Sequence, residues 1–120
     1  MLVNHVLADR KAEPVLNPAK QSDVVGFVRN ALIEEVDVAV SNSVAEFPAW
    51  SQVSPQERAT KILKFADLME ANYYEMLHIV VREAGKTLNN GIAEVREAVD
   101  FCRYYAAQVA NEFDNTTHKA

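Results

Sequence analysis

With 120 residues, the chain has the size of one compact domain or a piece of one, and leaves no room for a second of ordinary size. Twelve Lys and Arg against 17 Asp and Glu give a net charge of −5; a surface built to grip a polyanionic backbone is excluded, and nucleic acid is not an expected partner. Three scattered glycines, Gly26, Gly85 and Gly91, and a single cysteine, Cys102, exclude a glycine-rich phosphate cradle, an internal disulfide and a cysteine-rich zinc site.

Met1 to Arg10 lacks a charged stretch followed by a long apolar run, and no later segment approaches ~18 uninterrupted apolar residues, so neither a leader nor membrane insertion is expected. A soluble cytoplasmic protein is the default. Residues 1–30 read as a strand-rich lead-in. Apolar pieces at Leu2-Val3 and Val15-Leu16, turn chemistry at Asn17-Pro18 and the run Asp23 to Val28 predict a hairpin or small sheet. Residues 31–120 read as helical. Ile33, Val36, Val40, Val44 and Phe47 recur at three- and four-residue steps and predict a first helix that stops near Phe47-Pro48.

Ser54-Pro55-Gln56-Glu57 is the strongest local signal, because Ser54 can cap free amides, Pro55 suits the first helical position and Glu57 completes a capping box. Behind it Ile62, Phe65, Met69, Tyr73, Met76 and Val80 predict one long second helix, straight or kinked, ending at Gly85. A third helix is expected to open after Thr87 or Asn89, with Ile92, Val95, Val99, Cys102, Ala106, Val109 and Phe113 along one seam. The polar tail from Asn115 to Ala120 offers no closing signal. The expected fold class is therefore mainly α, about three helices after a small N-terminal β element, forming one partial domain over 1–120.

Few residues could carry chemistry. Cys102 falls on the third helix's seam, where a thiol acts as a small buried apolar group, so it is not read as a nucleophile. His5, His78 and His118 have no His or Cys at ligand spacing, and no metal site is expected. Glu34, Glu35, Glu94 and Asp100 read as the solvated face of a helix. Glu97 differs. At about 100° per residue it lies opposite the seam beside Phe101 and Tyr104, and no cation stands three or four residues away. Pattern alone favours a tertiary partner over a site for this carboxylate.

The stretch Val81-Arg82-Glu83-Ala84-Gly85-Lys86-Thr87, followed by Ile92 to Phe101 and Arg103-Tyr104-Tyr105-Ala106, resembles the aldehyde dehydrogenase superfamily. Asn17-Pro18-Ala19, Val24 to Arg29, Ala49-Trp50, Pro55 to Arg58 and Phe113 to His118 are similar to one branch, the L-glutamate γ-semialdehyde (pyrroline-5-carboxylate) dehydrogenase module of bifunctional proline utilization A. The resemblance implies an N-terminal piece of the α/β NAD-binding domain of an enzyme of proline catabolism, with NAD as cofactor of the parent and FAD in an attached proline dehydrogenase. It implies that the catalytic cysteine, the oxyanion-binding asparagine, the base and the NAD loops follow Ala120, so this chain would hold no catalytic or cofactor-binding residue. It puts Cys102 where relatives tend to carry Leu, and Glu97 on the substrate side of the parent's aldehyde pocket. The partner so implied is the remainder of the dehydrogenase domain, and uncovered apolar faces would drive self-association or oligomers. A rival reading is a free-standing helical dimerisation module using the third helix's seam. Phe101, Tyr104 and Tyr105 weigh against it, because they make that helix apolar on two sides.

Overall fold

The computed structural model describes residues 10–112. Leu2-Val3, Phe113 and the tail, for which strand, seam and polar character are expected, lie outside them. The structure divides between Gln52 and Val53 into two compact units.

The first unit carries the expected hairpin. Strand β1 (Glu13–Asn17) pairs antiparallel with β2 (Lys20–Val28), from Glu13 opposite Val28 to Asn17 opposite Lys20, with register shifts on either side of Leu16. Asn17 makes the turn: its Oδ1 accepts the Ala19 N–H at 2.9 Å, while its Nδ2 donates to Asp23 Oδ2 at 3.0 Å.

Helix α1 (Ile33–Ser51) follows. Its start is held by Glu35, which is more than a solvated carboxylate. One oxygen accepts the Leu32 N–H at 2.7 Å and the other accepts from Arg10 at 2.6 Å. The Arg10 guanidinium also donates to the Asn30 carbonyl at 2.8 Å, and Arg29 donates back to the Arg10 carbonyl at 2.7 Å. The Leu32 amide holds the Glu35 carboxyl below its ordinary pKa; desolvation opposes it, and the hydrogen bond and charge of Arg10 add to the lowering. The helix does not stop at Pro48 but contains it. Pro48 removes only its own N–H from the last turn, and Ser51 Oγ and the Gln52 N–H close that turn on the Pro48 and Ala49 carbonyls. No residue of α1 is buried. Its predicted stripe, Val36, Val40, Val44 and Phe47, lines an open apolar hollow of about 770 Å³.

The second unit is helical. α2 (Pro55–Ala71) opens as expected, with Ser54 Oγ accepting the Glu57 N–H at 3.1 Å and Pro55 in the first turn. The Glu57 carboxylate pairs with Lys61 at 3.0 Å instead of returning to the Ser54 amide. The long second helix breaks at Asn72, which raises the count from three helices to four among the described residues. Asn72 Nδ2 bonds the Leu68 carbonyl at 2.8 Å, its backbone leaves helical geometry, and α3 (Tyr73–Ala84) restarts the ladder. Gly85, at φ 65°, ends α3 in the left-handed conformation that the sequence assigns it. Of the two expected starts for α4 (Leu88–Glu112), Thr87 is the observed one: its Oγ1 accepts the Asn90 N–H at 3.2 Å.

The core of this unit lies where α2 meets α4. Ala59, Ala66 and Met69 face Val95, Val99 and Ala106, and Met76 and Cys102 pack against the cluster. Small side chains at three of the six positions let the helices approach closely. Ile62 and Phe65, which share the predicted stripe of α2, therefore stay about half exposed. Arg103 clamps the pair from outside, reaching Asp67 and Glu70 on α2. At the other end, a Cβ on Gly91 would stand 2.8 Å from Leu77, so glycine there lets α3 lie against α4.

Candidate functional site

The site rests on α4, because that helix carries two different faces. Val95, Val99 and Ala106 form its buried seam. Phe101, Tyr104 and Tyr105 remain 52–60% exposed and pack on one another. The Phe101 and Tyr105 rings stack at 6.0 Å, and Tyr104 meets Tyr105 edge-on at 5.2 Å. The sequence expectation of a helix with apolar character on both sides is met.

Glu97 lies on the outer face, in an open groove of about 450 Å³ along α4 that it shares with Asn89, Ile92, Arg96, Asp100 and Phe101. The structure brings Glu97 and Phe101 together in this groove, while Tyr104 turns to Tyr105. No hydrogen bond or ion pair engages the Glu97 carboxylate among the described residues, so the tertiary cation favoured by the pattern is not found there. Its neighbours are differently placed. Glu94 pairs with Lys86, and Arg103, a candidate partner of Asp100, is drawn instead to α2. The two acceptors on α2 raise the pKa of Arg103, Glu70 more than Asp67.

Cys102 is half-buried against Ala66, Met69 and Val99, the small apolar role expected of it. His78 is exposed, its Nε2 2.8 Å from Arg82 Nη1 one turn on. Among the described residues, no three His, Cys, Asp or Glu side chains converge as a metal cage requires, and no helix is long and apolar enough to cross a membrane. The three glycines do not form a phosphate-binding loop for NAD. Gly26 sits in a strand, Gly85 ends a helix and Gly91 packs under Leu77, so none contributes to a loop whose amides could cradle a pyrophosphate.

One residue escaped the sequence reading. Arg58 stands in a second groove, of about 490 Å³, between α2 and α4, with Ala59, Ile62, Phe101, Cys102, Tyr105 and Val109. Its Nε is removed from solvent and has no hydrogen-bond partner. The signal was available: Arg58 is four residues before Ile62, on the same helical stripe.

The aldehyde dehydrogenase family matches residues 5–120. The bifunctional protein PutA of Salmonella typhimurium is 50% identical over 113 residues, which are 94% of this chain and 9% of that protein. A 1-pyrroline-5-carboxylate dehydrogenase of Bacillus pumilus is 40% identical over 94 residues, 78% of this chain and 18% of the relative. Among solved structures, proline utilization A of Bdellovibrio bacteriovorus inactivated by N-propargylglycine superposes with a TM-score of 0.80 at 26% identity, covering 92% of this chain and 11% of that one. The chain thus spans less than a fifth of the length of the two curated relatives.

Proposed function

Because the chain belongs to the aldehyde dehydrogenase family, we propose that it is the N-terminal part of an NAD-dependent L-glutamate γ-semialdehyde dehydrogenase, which completes the oxidation of proline to glutamate in the cytoplasm. The observation that carries this reading is the 50% identity to a bifunctional PutA over nearly the whole chain. In the proposed parent a cysteine thiolate attacks the aldehyde, donors in an oxyanion hole hold the developing charge, and NAD supplies the hydride acceptor when bound. Those groups lie outside these 120 residues, as does the attached FAD-dependent proline dehydrogenase. The chain alone therefore neither binds NAD nor turns over the semialdehyde.

What these residues contribute is the helical scaffold and one wall of the substrate side. The seam of α4 fixes the helix against α2, which turns Glu97 and Phe101 away from the core, and in the proposed parent that side is the one we assign to the aldehyde. A carboxylate without a neutralising cation can there orient the polar end of the semialdehyde. The natural partner is the rest of the dehydrogenase domain. Nothing observed favours the free-standing dimerisation module, whose outer face should be polar.

The test is a graft. The 113 matched residues replace their counterpart in the Salmonella relative, and NADH formation from L-glutamate γ-semialdehyde is followed. Activity within about tenfold of the unaltered relative, a change of about 1.4 kcal/mol in barrier at most, is expected. A folded graft without semialdehyde-dependent NADH would refute the reading.

A further inference from the structure

Asn90 is the one asparagine of the sequence that glycine follows. The pair is thermolabile by its chemistry: with no side chain to shield it, a glycine amide nitrogen reaches the carbonyl carbon of the preceding asparagine side chain. Packing makes the glycine obligatory. Gly91 is buried where α3 lies against α4, and a Cβ there would stand 2.8 Å from Leu77 and 3.3 Å from Val81. Asn90 itself is exposed to water. The first turn of α4 keeps the two reacting groups apart, and Thr87 ties that turn twice. Its carbonyl accepts the Gly91 N–H at 2.9 Å, and its Oγ1 accepts the Asn90 N–H at 3.2 Å. The exposed Lys86–Glu94 pair straps the same turn from outside. Helix ends held in this way open at far less than the cost of global unfolding.

We propose that Asn90-Gly91 is a site of spontaneous deamidation gated by Thr87, and that the isoaspartate formed there disables the first turn of α4 for good. When the turn frays, the Gly91 nitrogen loses its acceptor and attacks Asn90 Cγ. A new N–C bond closes a five-membered imide, and the side-chain nitrogen departs as ammonia, which takes up through solvent the proton that the Gly91 nitrogen gives up. Water then opens the ring at either carbonyl, leaving aspartate or isoaspartate at position 90; no oxidant or reductant takes part. The two products act differently on the helix. Aspartate restores the ordinary backbone and puts a negative charge at a helix N-terminus, where it is favourable. Isoaspartate carries the main chain through its side chain, which adds a methylene between positions 90 and 91. Gly91 can then no longer both meet the Thr87 carbonyl and sit under Leu77. The lesion falls on the wall that carries Glu97, since Asn89 and Ile92 line that groove.

Peptide mapping by mass spectrometry tests the assignment, with the full-length graft incubated at mildly alkaline pH beside a synthetic peptide of residues 86–95. A gain of one mass unit locates deamidation, and labelling by an isoaspartate methyltransferase counts the isoaspartate. So short a peptide holds no stable helix in water and gives the rate of the open pair. In the folded graft, position 90 should react about tenfold more slowly than in the peptide and still be the first site of isoaspartate within residues 10–112. Thr87→Val keeps the shape and removes the hydroxyl, and should speed the reaction roughly fivefold, the effect of losing one helix cap, whereas Thr87→Ser leaves it near the graft's own rate. Glu94→Gln, which releases Lys86, serves where the valine variant does not fold and should act in the same direction. Asn90→Asp should keep the amide hydrogen-exchange protection of residues 86–95, while chains enriched in isoaspartate lose it. A folded graft that reacts at position 90 as fast as the peptide, or not at all while the peptide is exhausted, would overturn the proposal. So would a rate indifferent to both Thr87→Val and Glu94→Gln, earlier isoaspartate at another described asparagine, or isoaspartate-bearing chains with full protection.

Discussion

Met69 and Phe65 are one helical turn apart on α2 and both belong to the apolar stripe visible in the sequence, yet only Met69 is in the core. Met69 is 5% exposed, in contact with Ala66 and Val99, whereas Phe65 is 53% exposed. Truncating Met69 to Ala removes buried methylenes and leaves a cavity that the close α2/α4 contact cannot collapse, a loss of about 2–4 kcal/mol. Phe65→Ala gives up only the part of a Phe side chain that is shielded from water. With ~1.5–3 kcal/mol for complete burial, half of it is about 1 kcal/mol, and there is no cavity to add. For a unit of this size each kcal/mol moves the midpoint by roughly 4–8 °C, so Met69→Ala should lower it by about 8–30 °C and Phe65→Ala by about 4–8 °C. Urea and thermal melts followed by far-ultraviolet circular dichroism measure both, at protein concentrations where the midpoint has stopped depending on dilution. Equal losses, or a larger one for Phe65→Ala, would refute the placement of the core in the α2/α4 contact.

Two further outcomes follow from the remaining surface. The exposed stripe of α1 and the aromatic face of α4 should make the isolated chain self-associate, so light scattering should give a mass above the monomer that falls on dilution; a sharp, concentration-independent monomer melt would contradict this. The lowered pKa of Glu35 means that its contribution to the start of α1 is complete above the ordinary glutamate value and is lost as pH falls through the depressed one. Glu35→Gln should therefore flatten the acid limb of the stability profile of the first unit, and an acid limb identical to wild type would count against the Arg10–Glu35–Leu32 arrangement.

Much of the architecture is legible in the sequence because local chemistry agrees with the fold. Asn17-Pro18 makes the hairpin turn, Ser54-Pro55 and Thr87 start helices, and Gly85 ends one. The signals that failed are those where a single side chain redirects the backbone or a close approach reselects the core. Nothing in apolar periodicity reveals that the Asn72 amide takes the Leu68 carbonyl and splits a helix, since Tyr73 and Met76 keep the step of the stripe. Pro48 reads as a stop, but so near the helix end its missing donor costs one bond only. The choice of Ala59 and Ala66 over Phe65 for the core is made by how closely α4 approaches, a tertiary quantity. At the site, the wheel placed Glu97 beside Phe101 on the outer face of α4, and the groove between α2 and α4 escaped because Arg58 reads as a polar residue next to a cap.

Glu97→Gln in the full-length graft is the most direct test of the claim that α4 turns a substrate-side carboxylate away from the core. The variant keeps size and removes charge, so kcat/KM for L-glutamate γ-semialdehyde should fall about tenfold or more, while the KM for NAD and the melting temperature stay close to the graft's own values. If Glu97 is instead the buried partner of a distant cation, the substitution strands that charge and costs on the order of 3–5 kcal/mol of stability. A large drop in melting temperature with unaltered kinetic constants in the surviving folded enzyme would contradict the account.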